Sequence, residues 1–163
     1  MLEITLLRAP DEDLGLLVGE LNDELGALYS AEQRHGLALD ALFQPNIRFF
    51  VARADDQPAG CGGVAFFDGF AEIKRMYVRA HLRGQGIADA IMSRLIAETA
   101  AAGVTHLKLE TGVYSGAAIR FYRRCGFAVC AAFEPYTTMP PQAIVTSVFM
   151  EKAITSAREA ARR

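Results

Sequence analysis

The residues best placed to do chemistry lie in the turn Arg83-Gly84-Gln85-Gly86-Ile87-Ala88, between a strand-like and a helix-like stretch. Gly84 and Gly86 have no side chain to block the backbone, so N–H groups here point into open space. The helix that follows adds unpaired N–H groups and a partial positive charge at its first turn. Such an end binds phosphate-like anions without a cationic side chain. A dinucleotide-binding G-x-G-x-x-G does not fit, because Asp89 stands where the third glycine belongs, and no G-x-x-x-x-G-K-[ST] phosphate loop occurs.

Arg83-x-x-Gly86-x-Ala88 fits the pattern [QR]-x-x-G-x-[GA]. About thirty residues on, Ser115-x-x-Ala118-x-x-x-Tyr122-x-x-x-Gly126-Phe127 follows N-x-x-A-x-x-x-Y-x-x-x-G-F, with Ser115 in place of Asn. Together, in this order, they resemble the GNAT N-acetyltransferase superfamily over roughly residues 45–152. The resemblance implies acetyl-CoA as acyl donor, its pyrophosphate on Arg83, Gly84, Gln85, Gly86, Ile87 and Ala88. It implies a pantetheine arm lying along Met76, Tyr77 and Val78 like an extra strand, since Ala71–Val78 (AEIKRMYV) aligns without gaps to the corresponding strand of the histone-acetylating branch. On the same basis the Met76 N–H polarises the thioester carbonyl, the kind of donor acyl transfer needs. Tyr122 matches the superfamily's tyrosine, a proton donor to the leaving thiolate. Ser115 leaves one cofactor-side hydrogen bond open.

Amine attack on a thioester needs a neutral amine and a route for its proton. Glu72 aligns with the catalytic glutamate of the histone-acetylating branch. Four strand residues separate it from Met76, about 13 Å, so it would work through water. Glu110 and Glu134 are its rivals. Lys74 and Arg75 sit in a central strand, where charge is rarely buried without partners. Period two puts Glu72, Lys74 and Met76 on one face, and Ile73, Arg75 and Tyr77 on the other. One account is an ion-pair network with Glu72 and Glu110. Another places Arg75 or Arg48 near the acceptor pocket, favouring a carboxylate-bearing amine. Phe133-Glu134-Pro135-Tyr136 and the ending S-x-F-x-E-K resemble a bacterial subgroup with small-molecule acceptors, with Tyr136 on the acceptor side or simply packed in its loop.

The elements that must position these residues follow from periodicity. Leu14, Leu17, Val18, Leu21, Leu25 and Leu28 mark a first helix, after a strand over Leu2–Arg8. Ser30-x-x-Gln33 suggests a capping box opening a second helix to about Phe43. Ile47–Arg53, Gly60–Phe67 and Phe70–Arg79 read as strands, the last two joined by Asp68-Gly69 as a hairpin. Ile87, Ala88, Ile91, Met92, Leu95 and Thr99 form one helix face, stopped by Gly103. A strand at Val104–Glu110 then completes a right-handed parallel crossover. Gly116–Cys125 reads as a short helix, and Phe127–Phe133 and Ile144–Lys152 as final strands. The expected fold class is α/β, a mixed and mostly antiparallel sheet of GNAT type with one central parallel strand-helix-strand crossover and flanking helices. Residues 1–152 form one domain and 153–163 a C-terminal tail.

The chain has 163 residues, 52% apolar and 22% charged, with a net charge of −2, which bounds it to a soluble domain with its own core. No basic stripe marks a nucleic-acid partner. Met1-Leu2-Glu3-Ile4-Thr5 has no basic leader, and no apolar run is long enough to span a membrane. Three cysteines without C-x-x-C spacing suit a reducing cytoplasm. The histidines have no metal-ligand spacing, so no metal is expected. With the family resemblance, these bounds make the expectation a cytoplasmic, acetyl-CoA-dependent N-acyltransferase acting on a small-molecule amine by direct transfer, with no recognisable Cys–His pair for an acyl-enzyme. Peptide acetylation and a silent CoA-binding sensor are the alternatives. A homodimer is left open.

Overall fold

The computed structural model describes residues 1–163. Seven strands, β1 (Leu2–Leu7), β2 (Ile47–Ala54), β3 (Gln57–Phe66), β4 (Ala71–Val78), β5 (His106–Gly112), β6 (Ala128–Val129) and β7 (Ser147–Ala153), form one sheet in the order β1-β2-β3-β4-β5-β7-β6. Every neighbouring pair is antiparallel except β4 with β5. Three longer helices, α1 (Glu12–Leu28), α2 (Ile87–Ala101) and α3 (Gly116–Arg124), and two single turns, α4 (Pro141–Ile144) and α5 (Ala157–Ala160), complete the mixed α/β fold. No helix is long and apolar enough to cross a membrane.

Helix α1 begins where Asp11 Oδ1 accepts the Leu14 N–H at 2.8 Å. Leu14, Leu17, Val18 and Leu21 are buried along one stripe. Gly15 and Gly19 cost roughly 1 kcal/mol each against Ala, and four buried side chains at about 1.5–3 kcal/mol each outweigh them. This stripe packs on Phe49, Val51 and Tyr77. The alternate β2 residues Phe50 and Ala52 face the other way, where Ile87, Ile91, Met92 and Leu95 of α2 close the larger core. One helix thus covers each face of the β1–β4 half.

Two hairpins set the register of that half. Asp55 and Asp56 both take positive φ, 49° and 63°, and form the two-residue turn between β2 and β3. The expected Asp68-Gly69 turn joins β3 to β4, with Gly69 at φ 84° and the Phe67 N–H donated to Phe70 O. β4, α2 and β5 then form the expected parallel crossover.

Four expectations need correction. The segment Ser30–Phe43 is not a helix but two short 3₁₀ turns, Ala31–Gln33 and Leu39–Phe43, around an extended 34–38. Gly36 lies in that extended stretch, filled from the other side by the Arg75 guanidinium. The strand expected at Phe127–Phe133 is paired only at Ala128–Val129. The last strand begins at Ser147, because Pro141–Ile144 turns as a helix. The period-two assignment across β4 also fails. Arg75 has φ 53°, and two β4 residues stand opposite Gly62 in a bulge. Beyond it the side chains change face: Met76 joins Ile73 and Val78 against α2, while Arg75 and Tyr77 share the α1 side with Glu72 and Lys74. At the C-terminus, Ile154 and Ser156 are still buried, so the packed chain continues beyond β7.

Candidate active site

The site exists because β4 and β5 part company. Their pairing covers only Ala71↔Leu107 and Glu72↔Lys108, after which β5 follows β7 through Gly112 while β4 bends at its bulge. The wedge between them opens a crevice of about 750 Å³, within the range of small-molecule sites. It runs from the glycine turn, past Met76 and Tyr122, to Tyr136 and His35 on the α1 side. At the β4 wall, Arg79 donates its N–H to Ala59 O at 2.9 Å. Alternation places Tyr77 toward β3 as well, which leaves the Met76 and Val78 N–H groups facing the opening.

At one mouth lies the glycine turn. Gly84 and Gly86 take φ 80° and 82°, and a Cβ at either would meet nothing within 4 Å. The first intrahelical bond of α2 is donated by Ala90, so the N–H groups of Gly84, Gln85, Gly86, Ile87, Ala88 and Asp89 have no backbone acceptor. All of these residues but Gln85 line the crevice, and such a run of free donors at a helix N-terminus fits a pyrophosphate. The Arg83 side chain is committed elsewhere: Nη2 reaches Glu24 at 2.7 Å, and Nε donates to Val78 O at 2.9 Å. With Arg79 on Glu20 at 2.9 Å, these pairs clip α1 to the end of β4. Partly exposed ion pairs contribute about 0–1 kcal/mol, so their effect is placement of the turn rather than stability.

In the middle stands Tyr122 on α3. Its ring packs between Phe121 and Phe127, centroids 5.5 and 5.9 Å away. The hydroxyl makes no hydrogen bond within the protein and lines the crevice. Burial, with smaller contributions from Cys125 and Glu110, pushes its pKa up, so it carries its proton at neutral pH.

The carboxylates lie beyond, on the α1 side. Glu72 is 1% exposed. Tyr136 donates its hydroxyl to Oε2 at 2.6 Å, and Lys74 Nζ sits 2.9 Å from Oε1. That contact is an ion pair off the hydrogen-bonding direction, since Oε1 has no formed hydrogen bond. Glu110, on β5, accepts from Ser147 Oγ at 2.6 Å through one oxygen only. Burial pushes its carboxyl up to about 7, with the Glu72 charge adding to the rise and Ser147 and Lys74 opposing it. Glu134 does not line the crevice, whereas Glu72 and Glu110 both do.

Arg75 reaches the crevice, but Arg48 does not. Arg48 pairs with Glu98 of α2 and lies over Phe66, on the opposite side of the sheet, which removes it from the acceptor pocket. Ser115 precedes α3 without capping it through its side chain; its hydroxyl lies 3.0 Å from Tyr29 Oη instead. Tyr29 was invisible to the motif reading. It ends α1, crosses the crevice, and accepts the Tyr114 N–H at 2.9 Å. The one trace of it in the sequence is Gly112, where a Cβ would stand 2.0 Å from that hydroxyl. Lys74 and His35 join the site as well, His35 donating Nε2–H to Ala143 O at 2.7 Å.

The comparisons with known proteins agree with this geometry. Residues 16–127 match the Acetyltransferase (GNAT) family. A protein of Azospirillum brasilense named IAA acetyltransferase is 43% identical over 140 residues, covering 85% of this chain and 88% of its own. A Klebsiella pneumoniae protein crystallised as an acyl-CoA N-acyltransferase superposes with TM-score 0.77 at 28% identity, over 94% of this chain and 98% of that one. A Bacillus anthracis structure, assigned as a streptothricin acetyltransferase and holding acetyl coenzyme A, shares the fold with TM-score 0.57 at 19% identity, over 68% and 64% of the two chains. A crevice opened by a splayed parallel pair, a bare glycine turn at one mouth, and a match over most of the chain lead to one conclusion: the protein belongs to the GNAT family of N-acetyltransferases.

Proposed function

We propose that the protein moves an acetyl group from acetyl-CoA to the primary amine of a small molecule, directly, with both bound in the crevice. The observation that carries this reading is the single continuous crevice, with the free N–H donors of the glycine turn at one mouth and an ionisable carboxyl at the other. Bound there, acetyl-CoA supplies an activated thioester. Gly84–Asp89 hold its pyrophosphate through backbone N–H groups. Met76 and Val78 offer free strand edge to the pantetheine amides, and the Met76 N–H stabilises the oxyanion as charge develops.

Glu110 takes the amine proton. It combines a carboxyl near pH 7 with one oxygen free of protein partners, the balance a general base needs at neutral pH. Glu72 instead holds Lys74 and Tyr136 in place, since Tyr136 and Lys74 cover its two oxygens. Tyr122 keeps its proton until the thiolate leaves and then donates it. No cysteine lines the crevice, in keeping with direct transfer.

Thiol release from acetyl-CoA, measured against a panel of amino acids, polyamines, aminoglycosides and peptides, tests the reading. Amine-dependent release is expected, reduced about 100-fold or more in Tyr122→Phe, with acetyl-CoA binding retained. Turnover unaffected by that substitution would remove Tyr122 from the mechanism. Failure to bind acetyl-CoA at all would remove the reading itself.

A further inference from the structure

Arg75 breaks a rule that the other anchored arginines of this fold obey. Arg53 pairs with Asp11 and Asp13, Arg79 with Glu20, Arg83 with Glu24, and Arg48 and Arg94 with Glu98. Arg75 is half-buried and no carboxylate of the protein pairs with it. Its one hydrogen bond is from Nε to Leu37 O at 3.0 Å, which aims the guanidinium and leaves both terminal nitrogens without a protein acceptor. A half-buried cation without a counter-charge is unfavourable, and burial already lowers the Arg75 pKa.

The surroundings maintain this arrangement. Arg75 adopts φ 53°, a left-handed conformation that costs a non-glycine residue about 1–2 kcal/mol. Gly36 leaves the space the guanidinium fills, since a Cβ there would stand 2.4 Å from Arg75 Cζ. A second cation, Arg34, lines the same mouth, close enough that its charge also disfavours that of Arg75. Two arginines face one cavity wall, and the nearby acids are engaged elsewhere, Glu72 with Lys74 and Glu110 with Ser147.

We infer that the acceptor amine carries a carboxylate, gripped by the Arg75 guanidinium with Arg34 beside it. Arg75 directly precedes Met76, the residue whose N–H faces the thioester position, so carboxylate and amine belong to one small molecule, an amino acid or a close relative. A guanidinium with two free terminal nitrogens matches a carboxylate in bidentate fashion, which a lysine does not. This inference rests on the acetyl-transfer reading and specifies its acceptor.

The test uses matched sets of acceptors: leucine, phenylalanine, tryptophan and glutamate, each with its carboxamide and its decarboxylated amine. Thiol release gives kcat/KM for each, and calorimetry on CoA-loaded protein gives binding. In at least one set the carboxylate form is expected to lead by about 10- to 100-fold. Arg75→Lys and Arg34→Ala should erase that lead, mainly through KM, while the KM for acetyl-CoA and the melting temperature stay in place. Equal use of acid, amide and amine, or a lead untouched by either substitution, overturns the inference and leaves acetyl transfer standing. Carboxylate binding that Arg75→Lys abolishes, with no turnover of any amine, supports the anion site and overturns acetyl transfer. Neither turnover nor carboxylate binding overturns both.

Discussion

Replacing Glu110 by Gln should make the protein more stable and less active at once. The carboxyl is raised from the ordinary 4.5 to about 7, mainly by burial. At about 1.36 kcal/mol per pH unit, that rise corresponds to roughly 3 kcal/mol against ionising in the folded state. Below about pH 4.5 both states hold the proton and no penalty applies. Between pH 4.5 and 7 the unfolded chain ionises first, so Glu110 subtracts from stability as pH rises, and above 7 the full penalty remains. Gln cannot ionise and still offers Ser147 an acceptor oxygen. Partial exposure reduces the gain to about 1–3 kcal/mol at pH 8. That corresponds to about 2–4 °C in Tm per kcal/mol for a chain this long. Activity should fall about 100- to 10,000-fold, and the limb of the kcat/KM profile centred near pH 7 should disappear. Urea titrations of both proteins from pH 4.5 to 8.5, with pH–rate profiles, check both halves. Parallel stability curves across that range would refute the assignment of a buried, raised carboxyl. A surviving limb near 7 would refute its role as base.

Gly86→Ala forces a Cβ onto φ 82°, so a loss of about 1–2 kcal/mol is expected in denaturant titrations, with a higher KM for acetyl-CoA as the turn distorts. Gly112→Ala should displace Tyr29 from its bonds to Tyr114 and Ser115, at about 1–3 kcal/mol. In a Tyr29→Ala background most of that cost should vanish, so a double-mutant cycle with additive effects would contradict the contact. Cys61 is fully buried with its thiol pushed up to about 12, and none of the cysteines lines the crevice. Iodoacetamide at pH 8 should therefore spare Cys61, detected by peptide mass mapping, and leave transfer activity intact; inactivation on alkylation would instead point to a cysteine acyl-enzyme.

The legible parts of this fold were those written in local chemistry. The glycine turn, the Asp68-Gly69 hairpin and the α2 stripe each depend on residues within a few positions of one another, and each stands where its pattern put it. The bulge in β4 was not legible, because nothing local marks Arg75 for positive φ. It follows from Gly62 on the neighbouring strand and from the space beside Gly36. Missing the bulge put Met76 on the wrong face. The Ser30–Phe43 segment carried a capping signal, with the Ser30 N–H indeed donated to Gln33 Oε1 at 3.2 Å. Gly36 and the Arg75 side chain entering from β4 then set an extended path that local propensity does not encode. The standing of Glu72 and Glu110 depended on a third party: Tyr136 and Lys74 cover the first, and only packing reveals that.

The splayed seam between β4 and β5 has a consequence for association. Unpaired strand edges normally lie at the rim of a sheet, where they invite other chains to pair. Here the free N–H groups of a central strand lie inside the molecule, with α1 and Tyr29 on one side and α3 on the other. A strand that brings its own sheet cannot enter such a slot, but a single thin chain of amides can. The walls thus sort visitors by cross-section before any side chain reads them. An edge that would be a hazard for aggregation elsewhere is here open only to a lone, flexible chain.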